Sequence, residues 1–219
     1  MTEEEWLGEW NCAQTLMRFL LLPARLQRTK RGKRKLRLFS CACCRAVWEG
    51  INEPCRELVD DAELFADSRL SLERTNAARE RLSVYDDNMP LSEWMTTSLA
   101  HCCWHRSASG AALESSMILL PLYGSLGTRS EADELHCHLL RDIFGNPFWP
   151  VSFNREWRTS TAVSIAKGMY ESRDFSPMPI LADALQEAGC ENADILNHCR
   201  SGGPHVKGCW VVDLVLGKA

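Results

Sequence analysis

The segment LNHCRSGGPHVKGCW, residues 196–210, gathers His198, Cys199, His205 and Cys209 into a short glycine-rich passage, with Cys190 just upstream. Imidazole nitrogen and thiolate sulfur are the donors zinc takes at tetrahedral corners, with bonds of about 2.0–2.3 Å. His205 and Cys209 stand four residues apart, so on a helix opened by Pro204 at its first position both side chains leave one face. The turn at Gly202 and Gly203 could fold that helix onto its neighbour, which carries His198 and Cys199, and Cys190 could help close a set of four. The candidate metal ligands are therefore Cys190, His198, Cys199, His205 and Cys209, with zinc as the ion. The same groups offer a second chemistry, a cysteine thiolate activated by His198 or His205. Catalytic Cys/His pairs meet in space rather than along the chain, so nearness in sequence adds little to it. The spacing matches no CxxC or HxxxH knuckle. It favours a third reading, in which Cys199 and Cys209 fill space between helices and the histidines cap helix ends.

Other sulfur and imidazole groups are less suggestive. FSCACCRAVW, from Phe39, holds Cys41, Cys43 and Cys44, but no second pair follows at zinc-finger distance, which leaves close packing as their use. HCCWH sets His101 and His105 at the i, i+4 spacing of a zinc-protease helix, yet Cys102 stands where the general-base glutamate belongs. His136 and His138 lie about 200° apart around a helix of 3.6-residue period and cannot share an ion unaided.

A different chemistry resides between Arg25 and Arg37. Eight basic residues and no acid occur there, leaving 17 of the 25 basic residues to balance all 29 acidic ones. Arg28, Lys30, Arg31, Lys33, Arg34, Lys35 and Arg37 could neutralise phosphates of a nucleic acid or another polyanion. Few aromatics interleave for base stacking, and a solvated face is the simpler alternative. Neither GxGxxG nor GxxxxGK[ST] occurs, which disfavours nucleotide-driven chemistry.

The elements that must position these groups read as helices throughout. Thr2 and Glu5 have capping-box spacing, and Trp6, Trp10, Ala13, Met17 and Leu20 recur on one face up to Pro23. A helix from about 33 to 50 turns Leu36, Phe39 and Cys43 inward; Pro54 opens another with Leu58, Val59 and Ala62 inward. Past the turn-like DDNMP, a stripe of Leu91, Trp94, Leu99, Cys102 and Cys103 follows, then a helix stopped by Pro121, then one started by Ser130 and Asp133. The stretch 145–160 holds two prolines among aromatics without helical periodicity and serves as a connector. Beyond it Ser176-Pro177 opens a helix closed by Gly189, with Leu181, Ala184 and Leu185 inward. The last segment is β-branched enough to compete as a strand, but helix is the better reading. These elements predict an all-α protein: an N-terminal multi-helix bundle over 1–144, the connector, and a smaller C-terminal helical module over 161–219.

Several phrases resemble a family of bacterial proteins abundant in planctomycetes. They are Lys35-Leu-Arg-Leu-Phe39, Cys41-Ala-Cys-Cys-Arg45 with Trp48, LRDIFGNPF at 140–148, PILADAL at 179–185 and GPHVKGCWVVDLVLGK at 203–218. The resemblance covers the chain from about residue 33 onward, and departs at Ser40, Ala46 and Trp149, where the family pattern has alanine, arginine and arginine. It implies an intracellular bacterial module and brings no activity, ligand or catalytic residue with it.

Hydrophobic residues at 45% and charged residues at 25% are ordinary for a globular chain, and a net charge of −4 names no partner. MTEEEW lacks the order of a secretory signal, and FLLL at 19–22 is too short to span a bilayer. Eleven cysteines then belong in a reducing compartment. The expectation is a cytoplasmic, non-catalytic binding or adaptor module whose partner is another protein rather than a membrane. Zinc binding through the C-terminal residues and polyanion binding through 25–37 are the alternatives.

Overall fold

The computed structural model describes residues 1–8, 13–22, 25–82, 90–124 and 128–218. Over those residues the protein is all-α, with thirteen α-helices and two 3-10 turns, and the described residues include no strand. No described helix is long and apolar enough to cross a membrane. The chain divides into two compact units, Met1–Leu140 and Arg141–Ala219.

The first unit contains α1 (Glu3–Leu7), α2 (Ala13–Leu21), α3 (Arg25–Arg28), α4 (Lys30–Ala46), α5 (Glu53–Ala66), α6 (Leu72–Arg81), α7 (Leu91–Cys102), α8 (Ala108–Gly124) and most of α9 (Arg129–Phe144). Its centre is α4, which packs on α5, α7 and α8. Every residue from Lys35 to Cys44 is buried, so this helix is covered on all sides. Ser40, Cys41, Ala42, Cys43 and Cys44 are small enough to let neighbouring helices approach, which is the use the sequence suggested for its cysteines. The basic residues at the edge of this core are held by acids: Arg34 pairs with Asp67 at 2.8 Å, and Arg45 with Glu63 at 3.0 Å and with Asp60.

Several local expectations are corrected. The opening stripe is split between α1 and α2, although the Thr2–Glu5 capping box is present and Trp6, Ala13, Met17 and Leu20 are buried. Trp10, Pro23 and the turn at Asp86–Asn88 lie outside the described residues. Leu91 and Trp94 are exposed, because α7 instead buries Thr96, Thr97, Leu99 and Ala100. Helix α8 continues through Pro121 to Gly124; a proline this close to a helix end removes one backbone bond from a turn that is about to finish. Helix α9 is capped by Thr128 and Glu131, whose side chains exchange bonds with each other's backbone amides, rather than by Ser130 and Asp133. Imidazoles at 101 and 105 share no helical face, since α7 ends at Cys102.

The second unit holds the last residues of α9, then α10 (Ser160–Ser172), α11 (Met178–Glu187), α12 (Ala193–Arg200) and α13 (Trp210–Leu216). The proline-rich stretch belongs to this unit. Its Phe153 and Trp157 rings meet edge to face at 5.4 Å, and Arg158 donates through Nε and Nη2 to the Leu214 carbonyl at 3.1 and 2.7 Å. Met169, Leu181, Leu185, Ile195, Val211, Val212 and Val215 form a closed apolar core, each contributing about 1.5–3 kcal/mol by burial. Gly189 closes α11 at φ +85°, as its position suggested, but α11 begins at Met178, with Asp174 accepting the Ser176 amide at 3.0 Å.

The final helix is the most consequential correction. It starts at Trp210, not at Pro204, and residues 201–209 form a loop. Gly208 takes φ +96°, a conformation L side chains rarely adopt, and it reverses the chain immediately before Cys209.

Candidate metal centre

Three elements of the second unit aim polar side chains at one point. The first is the C-terminal turn of α9. Asp142 lies seven residues after Leu135 and three after Leu139, so helical periodicity puts it on the inward face beside Ile143. Its side chain is only 4% exposed. The second is α12, started by Asn192, whose side chain accepts the Ile195 amide at 3.0 Å. Ile195, Leu196 and Cys199 anchor its buried face, and His198 stands on the flank of the last turn. The third is the 201–209 loop, which delivers His205 and Cys209.

In this arrangement His205 Nδ1 is 2.7 Å from Asp142 Oδ1, and His198 Nε2 is 3.1 Å from the same oxygen. His198 Nε2 is also 3.2 Å from Cys209 Sγ. One ligand atom from each of Asp142, His198, His205 and Cys209 lies within 4.8 Å of the other three. A tetrahedron with bonds of about 2.0–2.3 Å has corners roughly 3.3–3.8 Å apart, so the separations of 2.7, 3.1 and 3.2 Å need open by only about half an ångström to admit an ion. The second carboxylate oxygen, Oδ2, accepts the Val206 amide at 3.0 Å, which fixes the carboxylate so that Oδ1 alone faces the group. A ligand carboxylate oriented by a backbone amide is the usual supporting arrangement around a metal.

Packing holds the imidazoles in place. The His198 and His205 rings meet edge to face at 4.9 Å, and Trp210 lies 5.0 Å from His198. Gly145, at φ +67° just beyond α9, makes room for that tryptophan: a Cβ there would come 3.2 Å from its ring. His205 Nε2 is buried and has no hydrogen-bond partner among the described residues.

The electrostatics separate the four groups into roles. Burial pushes the Asp142 carboxyl up, but hydrogen bonds and charge from His198 and His205 outweigh it and leave the group below its ordinary value. Asp142 is therefore an anion at the centre of the cluster. Burial, then the nearby Asp142 charge, push the Cys209 thiol well above the ordinary range. Cys209 ionises here only if a cation compensates it.

This geometry bears on the nucleophile reading. A Cys–His–Asp relay needs the sulfur on one ring nitrogen and the carboxylate on the other. Here the same His198 nitrogen faces both, and Cys209 is fully buried. A nitrogen, a carboxylate oxygen and a sulfur directed at a common point suit a cation better than a proton transfer.

Of the five residues suggested by sequence, the structure brings His198, His205 and Cys209 together. Cys190 and Cys199 do not join them; both are fully buried in the apolar core. Burial and the neighbouring Cys190 raise the Cys199 thiol to about 12. Asp142, 63 residues before His205, was not among the sequence candidates, and the signal was a carboxylate on an otherwise apolar helix face. His205 and Cys209 meet through a loop and not along a helix.

The other sequence candidates are dispersed. His136 is fully buried and stacked on Phe39 at 5.1 Å, while His138 is half-buried beside Glu134. The basic residues divide along α3 and α4: Arg28, Lys30, Arg31 and Lys33 are exposed, Arg34 is half-buried, and Lys35 and Arg37 are buried. No protein-family model, curated protein or solved structure matches this chain.

Proposed function

We propose that this chain is a non-catalytic metal-binding protein whose C-terminal unit folds around one zinc ion held by Asp142, His198, His205 and Cys209. The observation that carries this reading is the convergence of four ligand atoms within 4.8 Å in a nearly closed site. Two imidazoles, one thiolate and one monodentate carboxylate are a borderline-soft set, suited to zinc and poor for magnesium or calcium, which take oxygen ligands. Four protein donors complete a tetrahedron, and a site with no position open to substrate is structural. The ion would tie the 201–209 loop to the ends of α9 and α12. Ten described cysteines are free thiols, which suits a reducing environment where such a site keeps its thiolate. Protein association through the remaining helical surface is the activity a module of this kind would serve.

Elemental analysis of untagged full-length protein tests the reading. We expect about one equivalent of zinc per chain, lost in Cys209→Ser and His205→Ala and retained in Cys190→Ser. Zinc below a few tenths of an equivalent in the unmutated protein, after growth with added zinc, would refute the proposal. Because Cys209 must lose its proton to bind, zinc uptake should release a proton and weaken as pH falls.

A further inference from the structure

The first unit contains a cavity of about 530 Å³, within the range of small-ligand sites. Its wall includes Lys30, Lys33, Arg34, Arg37 and Arg106, and none of its lining residues is a carboxylate. Four of these cations come from the first eight residues of α4, and the fifth from the segment that leads into α8.

Each cation has a different state. Arg34 Nε is engaged by Asp67 at 2.8 Å. Arg37 is only 8% exposed yet lines the cavity, and its terminal nitrogens donate to the carbonyls of Cys103 and, at 3.2 Å, of His105. Its guanidinium also lies 5.1 Å over the Phe65 ring. Carbonyls and a ring face orient that charge without cancelling it. Lys30, Lys33 and Arg106 form no ion pair with any described residue.

The helix starts reinforce the field. Ser107, Ala108 and Ser109 also line the cavity, so the first turns of two 17-residue helices open on it. Neither first turn contains an acidic residue. Acids normally occupy those positions because a helix N-terminus is electropositive, and cations there oppose the helix dipole. Placing lysines at the positive end of α4, around a concavity with no carboxylate in its wall, has a physical rationale if an anion enters.

We propose that this cavity binds a small phosphorylated metabolite carrying at least two phosphate charges, held by Lys30, Lys33, Arg37 and Arg106. A compact ligand is favoured over a nucleic acid strand because the cations line a concavity. Arg28 and Arg31, exposed residues of the same basic stretch, are not in its wall. The site is independent of the metal centre in the other unit.

The test is calorimetric titration of full-length protein with inorganic pyrophosphate, with ADP and with a 12-nucleotide single-stranded RNA. We expect one site per chain for pyrophosphate or ADP with Kd below about 1 mM. Lys33→Ala with Arg106→Ala should weaken it about tenfold or more, and Arg28→Ala with Arg31→Ala less than about twofold, since exposed cations on the cavity wall contribute directly and those outside only through screened fields. Both pairs are at exposed positions, so neither threatens the fold. Absence of saturable binding by both small probes, equal losses in the two double variants, or binding of RNA alone would each overturn the proposal.

Discussion

The two units contain groupings of the same residue types, and only one of them resembles a site. In the first unit, Cys44 and Cys103 sulfurs lie 3.5 Å apart, with Cys41 electrostatically coupled to Cys103, and His136 on α9 is buried and stacked on Phe39. In the second, His198, His205 and Cys209 surround Asp142. The first grouping contains more sulfur. What it lacks is an anion at its centre and ligand atoms directed at one point. Interaction with Cys103 and burial raise the Cys41 thiol well above the ordinary range, and burial does the same to Cys43, so these remain neutral packing groups. In the second unit the carboxylate is ionised although buried, and such a charge must be matched. Sulfur density along a sequence therefore points to a helical core as readily as to a metal. The discriminating feature is one buried acid.

The strongest way to separate the units is to remove the proposed zinc ion. If free zinc is held about a thousandfold above its Kd, binding stabilises the folded unit by about 4 kcal/mol. Chelation should then lower hydrogen-exchange protection in α12 and α13 by roughly three powers of ten. Protection in α4 and α5 should stay within a factor of about three. Equal losses in both units would show that zinc is not a specific ligand of the second.

A smaller effect comes from the two kinds of histidine. His136 has neither ring nitrogen hydrogen-bonded among the described residues, and burial lowers its pKa to about 4. In the unfolded chain an imidazole takes up its proton near 6.5. Between those values the unfolded state holds more protons, so stability falls as pH drops from about 6.5 to about 4. The total for a group this buried is about 3 kcal/mol. Urea unfolding of the first unit from pH 7 to 4.5 should show this loss, and His136→Phe should flatten it, since a second ring can stack on Phe39 without a proton to gain. An unchanged slope in that variant would assign the acid sensitivity elsewhere.

What the sequence disclosed follows from the range over which each signal acts. Periodicity and caps act within a few residues, so α4, α5 and α11, the Thr2–Glu5 capping box and the Gly189 terminus were all legible. The candidate metal centre was legible only in part. His198, His205 and Cys209 were suspected from their types, but through a helix beginning at Pro204 that does not form. The turn at Gly208, whose φ of +96° returns Cys209 to His198, leaves no periodic signature. Asp142 joins them from a distant helix, a pairing no local pattern encodes. Its one trace was positional: a carboxylate in the register of Leu135 and Leu139 has to find partners once that face is buried.

The smallest predicted effect sharpens the comparison at the level of one atom. Cys103→Ser and Cys209→Ser make the same replacement of sulfur by oxygen in the two groupings. At Cys103 the sulfur contacts Cys44 and lies 3.8 Å from the Leu99 carbonyl, so a serine hydroxyl can donate to that carbonyl one turn back. The remaining cost is a buried hydroxyl in place of a more apolar thiol, about 1–2 kcal/mol of stability in the first unit. Zinc content should not change, because no charge in that grouping depends on the sulfur. At Cys209 the same substitution removes the only sulfur donor of the proposed set, and a serine hydroxyl does not ionise to replace it. Measured side by side by elemental analysis and denaturant unfolding, the first variant should lose stability and keep zinc, while the second loses zinc and, with it, the protection of α12 and α13. A Cys103→Ser protein that lost zinc would mean that the two groupings are not chemically distinct, and the difference attributed to Asp142 would lose its basis.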